Sequence, residues 1–166
     1  MTAKTRYDSL VSNRTQYLSE AEDAAELTLP YLIRQDVSHT GMRKLPTPWQ
    51  SVGAKGVVTL ASKLMLALLP AQTSFFKLQL DESQLGDVPP EMKTELELAF
   101  AKIERTIMDA IAASDDRVVV HQALKHLVVA GNALIFMGKD GLKLFPLQRY
   151  AVERDGNGNV IEIVTK

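Results

Sequence analysis

Cysteine is absent from the 166 residues, which excludes a disulfide framework, thiolate metal sites and a cysteine nucleophile, and is compatible with a reducing compartment. Net charge is nearly absent too, since 19 Lys and Arg stand against 20 Asp and Glu. Such a balance argues against a nucleic-acid coat or a membrane-surface binder, so any contact with DNA must be local or arise by assembly. Long apolar runs are missing. The longest, Leu64 to Ala71, is far short of a membrane span, and the N-terminus MTAKTRYDSL has no apolar signal region. A soluble, unsecreted protein with no membrane partner is expected. Neither GxxxxGK[ST] nor GxGxxG occurs, which removes the main support for an ATPase or a dinucleotide enzyme.

What the chain does contain is 46% hydrophobic and 23% charged residues, enough for a folded domain. Area scaling sets a folded surface of ~8,000 Å², with roughly two thirds of the unfolded surface buried. From Tyr7 to Leu27 apolar residues recur at helical spacing with no Gly or Pro inside, predicting one amphipathic helix whose acidic side carries Glu20, Glu22, Asp23 and Glu26. Arg34 to Thr47, with Gly41 and Pro46, reads as a long loop. Thr47, Pro48 and Gln50 then fit the N-cap, first and third positions of a second helix running to about Leu69. Apolar residues cover most of its circumference, so it is expected to be buried, with Leu64 and Leu68 in the core. Gly53 and Gly56 on one side of it suggest close approach of another backbone.

Phe75 to Leu80 is a short strand signal. After Pro89 and Pro90 an apolar stripe runs from Met92 to Ile111, predicting a third helix with a charged outer face. Ser114 is a candidate N-cap for a fourth, ending at Gly131. The period then changes to two. Runs on either side of Lys139, Asp140 and Gly141, and a second pair, Tyr150 to Arg154 and Val160 to Thr165, predict a small antiparallel meander. The fold class is α+β, about four helices followed by that meander. The chain ends at Lys166 with a strand in progress, which reads either as a closing strand or as truncation.

Candidate chemistry is thin. His121 and His126 stand five apart, about 140° around a helix, and so do not make a zinc pair. His39 has no sequence neighbour to activate, and Asp115 with Asp116 at a helix start reads as capping. Trp49, the only tryptophan, reads as a core or interface anchor, with base stacking as the sharper alternative. No catalytic, metal or cofactor site is expected, and the chain is not expected to be an enzyme.

Three blocks carry a resemblance: TPWQSVGAKGVVTLASKLMLALLPAQT from Thr47, HQALKHLVVAGNALIF from His121 and RYAVERDGNGNVIEIVTK from Arg149. In order and spacing they resemble the portal, or head-to-tail connector, proteins of T7-like short-tailed bacteriophages. The resemblance extends over essentially the whole chain, though family members are several-fold longer. It implies that residues 1–166 are the N-terminal portion of a portal wing domain, incomplete at the C-terminus. It also implies a structural subunit of a ring, typically of twelve copies, at the head-tail vertex of the virion, made in the host bacterial cytoplasm. Such a ring conducts double-stranded DNA during packaging and ejection. Its partners would be capsid and scaffolding proteins, the terminase large subunit and a tail adaptor. Candidate interface residues are Arg34, Arg43, Lys44 and Trp49, with the first helix and the charged face of the third. The competing reading is a free-standing helical adaptor, which would expose a binding groove on the second helix where a portal wing would bury that helix.

Overall fold

The computed structural model describes residues 2–33, 45–70, 73–79 and 89–166. Among them five α-helices precede two β-hairpins, an α+β arrangement. Two helices, α1 (Ala3–Asn13) and α2 (Thr15–Leu27), stand where one was expected. The chain breaks at Arg14, whose φ of −112° and ψ of 17° leave the helical region. There the Arg14 guanidinium turns inward and donates to the carbonyls of Leu147 and Tyr150. The break lets α1 lie along the second hairpin while α2 packs on a later helix, two directions that one straight rod cannot serve.

Helix α3 spans Val52–Leu68, starting four residues later than the Thr47 cap predicts, and Ser51 is its first flanking residue. Residues 45–48 are irregular instead. Helix α4 (Pro90–Ala113) begins at a proline, which lacks only an amide that the first turn would leave unpaired. Helix α5 spans Asp116–Ala130 and ends at Gly131, whose φ of 69° is the left-handed conformation that favours glycine at a helix end. Its N-cap is Asp115, one residue after the expected Ser114, whose Oγ accepts from the Asp116 amide at 3.3 Å.

The hairpins are β1 (Leu134–Gly138) with β2 (Gly141–Phe145), and β3 (Tyr150–Arg154) with β4 (Val160–Thr165). The first closes through the two-residue turn Lys139-Asp140, with Gly141 at φ 105°. The second carries a bulge at Glu153/Arg154 before a loop organised by the Asp155 carboxylate, which accepts from the Asn157 and Asn159 amides at 2.9 and 2.7 Å. The expected single meander is two separate sheets. Pro146 and the 3-10 turn Leu147–Arg149 stand between β2 and β3, and the proline has no amide to donate to a ladder. The strand expected at Phe75 to Leu80 does not form over the described residues 75–79. Leu78 instead donates its amide to Glu104 Oε1 of α4 at 2.5 Å.

The main core joins Leu18, Ala21 and Ala25 of α2, the following Leu29, Leu32 and Ile33, and Val57, Ala130, Leu147 and Tyr150. A second cluster places Tyr7 and Leu10 of α1 on Ala151, and a third places Ala61 and Met65 of α3 on Leu124 of α5. Polar ties reinforce the seams. Arg6 of α1 is paired with Glu153 and Glu162 on the second hairpin, and Tyr17 Oη donates to the Ala130 carbonyl at 2.5 Å. Helix α3 buries Val57, Ala61 and Met65 and leaves Val58, Leu60, Leu66 and Leu68 exposed. The expected burial of Leu64 and Leu68 is therefore corrected: Leu64 is half-buried and Leu68 is 55% exposed, because α5 covers one side of the helix only. Helix α4 buries none of its described side chains; Met92, Ile103 and Ile107 of its stripe are exposed, and so is Leu98.

Candidate functional site

The most distinctive surface lies where α2 ends and α3 begins. Gly53 faces the last turn of α2 so closely that a Cβ there would stand 2.7 Å from the Leu27 carbonyl oxygen. That approach fixes the start of α3 against the end of α2 and leaves residues 46–50 as one wall of an open groove of about 620 Å³. The facing wall is the last two turns of α2, with the carboxylates of Asp23 and Glu26 and the side chain of Leu27. Leu27 and Val52 are 73% and 72% exposed, and Trp49 is fully exposed at 103%.

An indole held entirely in water next to a mixed apolar and acidic wall is the signature of a contact surface rather than a core anchor. The groove's described lining offers the carboxylates of Asp23 and Glu26, the Thr47 hydroxyl and the Gln50 amide as polar groups. It is suited to binding a surface that is apolar and cationic.

Of the other residues singled out in the sequence, Arg34, Arg43 and Lys44 lie outside the described residues, as does His39. Gly53 and Gly56 differ: among the described residues nothing stands within 4 Å of a Cβ at Gly56, so none of them makes the expected close approach there. His121 serves helix packing, and His126 is buried on α5. His121 Nε2 lies 3.4 Å from Ser62 Oγ across the seam between α3 and α5, and its pKa is lowered by burial and by neighbouring Lys125. Burial alone lowers that of His126. Asp116 anchors the first hairpin, its Oδ1 accepting from the Leu142 amide at 2.8 Å. Among the described residues no group of three His, Cys, Asp or Glu is placed to hold a metal ion, and no helix is long and apolar enough to cross a membrane.

The family model for bacteriophage head to tail connecting proteins matches residues 1–166. The chain belongs to that family. It is 40% identical to the portal protein of Enterobacteria phage T3 and 38% identical to that of Escherichia phage T7, in each case over 99% of this chain and 32% of the relative. The portal protein of Enterobacteria phage SP6 is 36% identical over 95% of this chain and 31% of its own length. The chain thus spans about a third of the length of the curated relatives it matches. The open outer face of α3 is what an adaptor would show, so burial of that helix does not separate the two readings. The family match decides for a connector protein, a structural class and not a class of enzymes.

Proposed function

We propose that the chain is the N-terminal part of the wing of a portal subunit, one of about a dozen forming a closed ring at the head-tail vertex of a phage particle. The ring encloses the channel for DNA packaging and ejection, and presents the platform on which terminase docks and the tail is attached. The observation that carries this reading is the family match across residues 1–166 together with relatives named portal proteins. Two features of the fold support it. The groove at Trp49 presents exposed apolar and acidic side chains together, and α3 and α4 carry exposed apolar faces suited to contact with other protein surfaces.

No reaction is assigned to the chain itself, and any ATP hydrolysis in packaging belongs to the terminase partner. Arg34, Arg43 and Lys44 are kept as candidate interface cations. Neutralising Arg43 and Lys44 should weaken ring formation in a salt-sensitive way while each subunit stays folded. Native mass spectrometry of the protein produced from its own gene tests the function: a closed ring of many copies supports it, and monomers under every condition overturn it in favour of an adaptor.

A further inference from the structure

Two surfaces of this chain are chemically complementary and are held at opposite ends of the molecule. The first is the groove beside Trp49, apolar at Trp49, Leu27 and Val52, with Asp23 and Glu26 on its wall. The second is the β1–β2 hairpin. Ile135 and Met137 pair with Leu144 and Leu142 in its register, so these four side chains share one face, and Ile135 and Met137 are exposed. At the turn beyond them stands Lys139. Lys143 and Asp140 pair with each other at 3.7 Å and the Asp116 carboxylate lies against the hairpin at the Leu142 amide, so Lys139 is the turn's cation without an ion pair among the described residues.

The geometry of α3 separates the two. Its N-terminal end, at Gly53, is pressed against Leu27 beside the groove. Its C-terminal end is joined to the start of α5 by Arg117, which donates to the Leu69 carbonyl at 2.7 Å. Asp116, the adjacent residue of α5, holds the hairpin through the Leu142 amide at 2.8 Å. The groove and the hairpin tip are therefore spaced by the length of a 17-residue helix, about 25 Å. One chain cannot close that gap on itself.

We propose that the groove of one copy receives the β1–β2 hairpin tip of the next, Met137 packing against Trp49 while Lys139 faces Asp23 and Glu26. The proposal rests on the portal-ring reading and names the contact that would build the ring. Two different patches at opposite ends make a heterologous contact, which repeats from copy to copy and closes as a ring when the rotation permits. Charge complementarity selects a second copy as the occupant, since an acidic groove facing its own duplicate would oppose like charges.

The test uses two single variants, Trp49→Cys and Met137→Cys, mixed before assembly and treated with a short bis-maleimide. Both side chains are exposed, so neither change disturbs the core. Covalent dimers from the mixture, none from either variant alone, and a ladder of longer species from the double variant are expected. As a second measure, Glu26→Lys should lower ring abundance in native mass spectra about ten-fold, and adding Lys139→Glu should restore it. Dimers from Trp49→Cys alone would overturn the proposal by showing that the groove faces itself. Rings that persist without cross-links in the mixture, and that are insensitive to the charge swap, would also overturn it and leave the ring reading intact. Monomers of the unaltered protein under all conditions would end both.

Discussion

At the scale of single residues, the two glycines of α3 look alike in sequence and differ in three dimensions. An alanine at Gly53 drives its Cβ against the Leu27 carbonyl oxygen, and that contact is backbone and cannot swing aside. Gly53→Ala should cost about 1–3 kcal/mol in spite of its better helix propensity. Gly56→Ala, with nothing near its Cβ among the described residues, should gain up to about 1 kcal/mol. Urea unfolding of the two variants checks both signs. Tyr150 offers a second contrast. Its side chain is 1% exposed, and its hydroxyl has no hydrogen-bond partner among the described residues, so burial pushes its pKa up to about 12. The unfolded chain releases that proton near pH 10 and the folded chain holds it, so stability is expected to fall as pH rises from about 10 to about 12. Tyr150→Phe removes a buried hydroxyl that has no partner among the described residues. It should leave stability at neutral pH unchanged or raise it by up to about 1 kcal/mol, and should flatten the alkaline loss measured by melting temperature. Neither distinction was legible in the sequence, because both depend on which backbone or side chain of a distant segment arrives next to the residue.

At the scale of elements, the turn chemistry was legible and the burial was not. Asp-Gly after Lys139 and the Gly-Asn run after Asp155 specify hairpins locally, and the strands Tyr150–Arg154 and Val160–Thr165 form where the alternation places them. The acidic and apolar walls of the groove were each visible as residue types, but their meeting depends on the approach of Gly53 to Leu27, which has no local signal. Helix α3 is apolar nearly all round, so its pattern identifies a helix and not which side a partner covers. Met65 points to Leu124 and Leu68 points away, so Met65→Ala should cost about 2–5 kcal/mol. Leu68→Ala should cost within about 0.5 kcal/mol in a single subunit, as surface changes do. Chemical denaturation separates the two. Helix α5 also carries an acid response. His121 and His126 both have pKa values lowered by burial, so the stability from their neutral forms is present above about pH 6.5 and lost as pH falls through their folded values. Melting temperature should therefore drop between pH 7 and pH 5, and the drop should be smaller in His126→Gln; an unchanged pH slope in that variant would count against this assignment.

At the scale of the whole molecule, much surface is left for further contacts, with other subunits or with the rest of a longer chain, since this one spans about a third of the length of its relatives. The chain exposes 12210 Å², about half as much again as the ~8,000 Å² that a compact monomer of its mass would show. Part of that excess is apolar: the exposed leucines and valines of α3, the unburied stripe of α4, Trp49 and the β1–β2 hairpin. Composition alone promised a core of ordinary size, and the clusters that form are small because the helices are spread over few partners. A chain built this way gains stability from whatever covers these faces, and under the proposed ring association would stabilise the fold by mass action. The melting temperature should accordingly rise with protein concentration over a hundred-fold dilution series. Backbone amides of α4 should exchange with solvent more slowly in the assembled ring than in dissociated subunits, as read by hydrogen exchange and mass spectrometry. A melting temperature independent of concentration, with α4 exchanging at one rate in both states, would mean that these apolar faces stay open in the particle and that assembly draws on other surfaces.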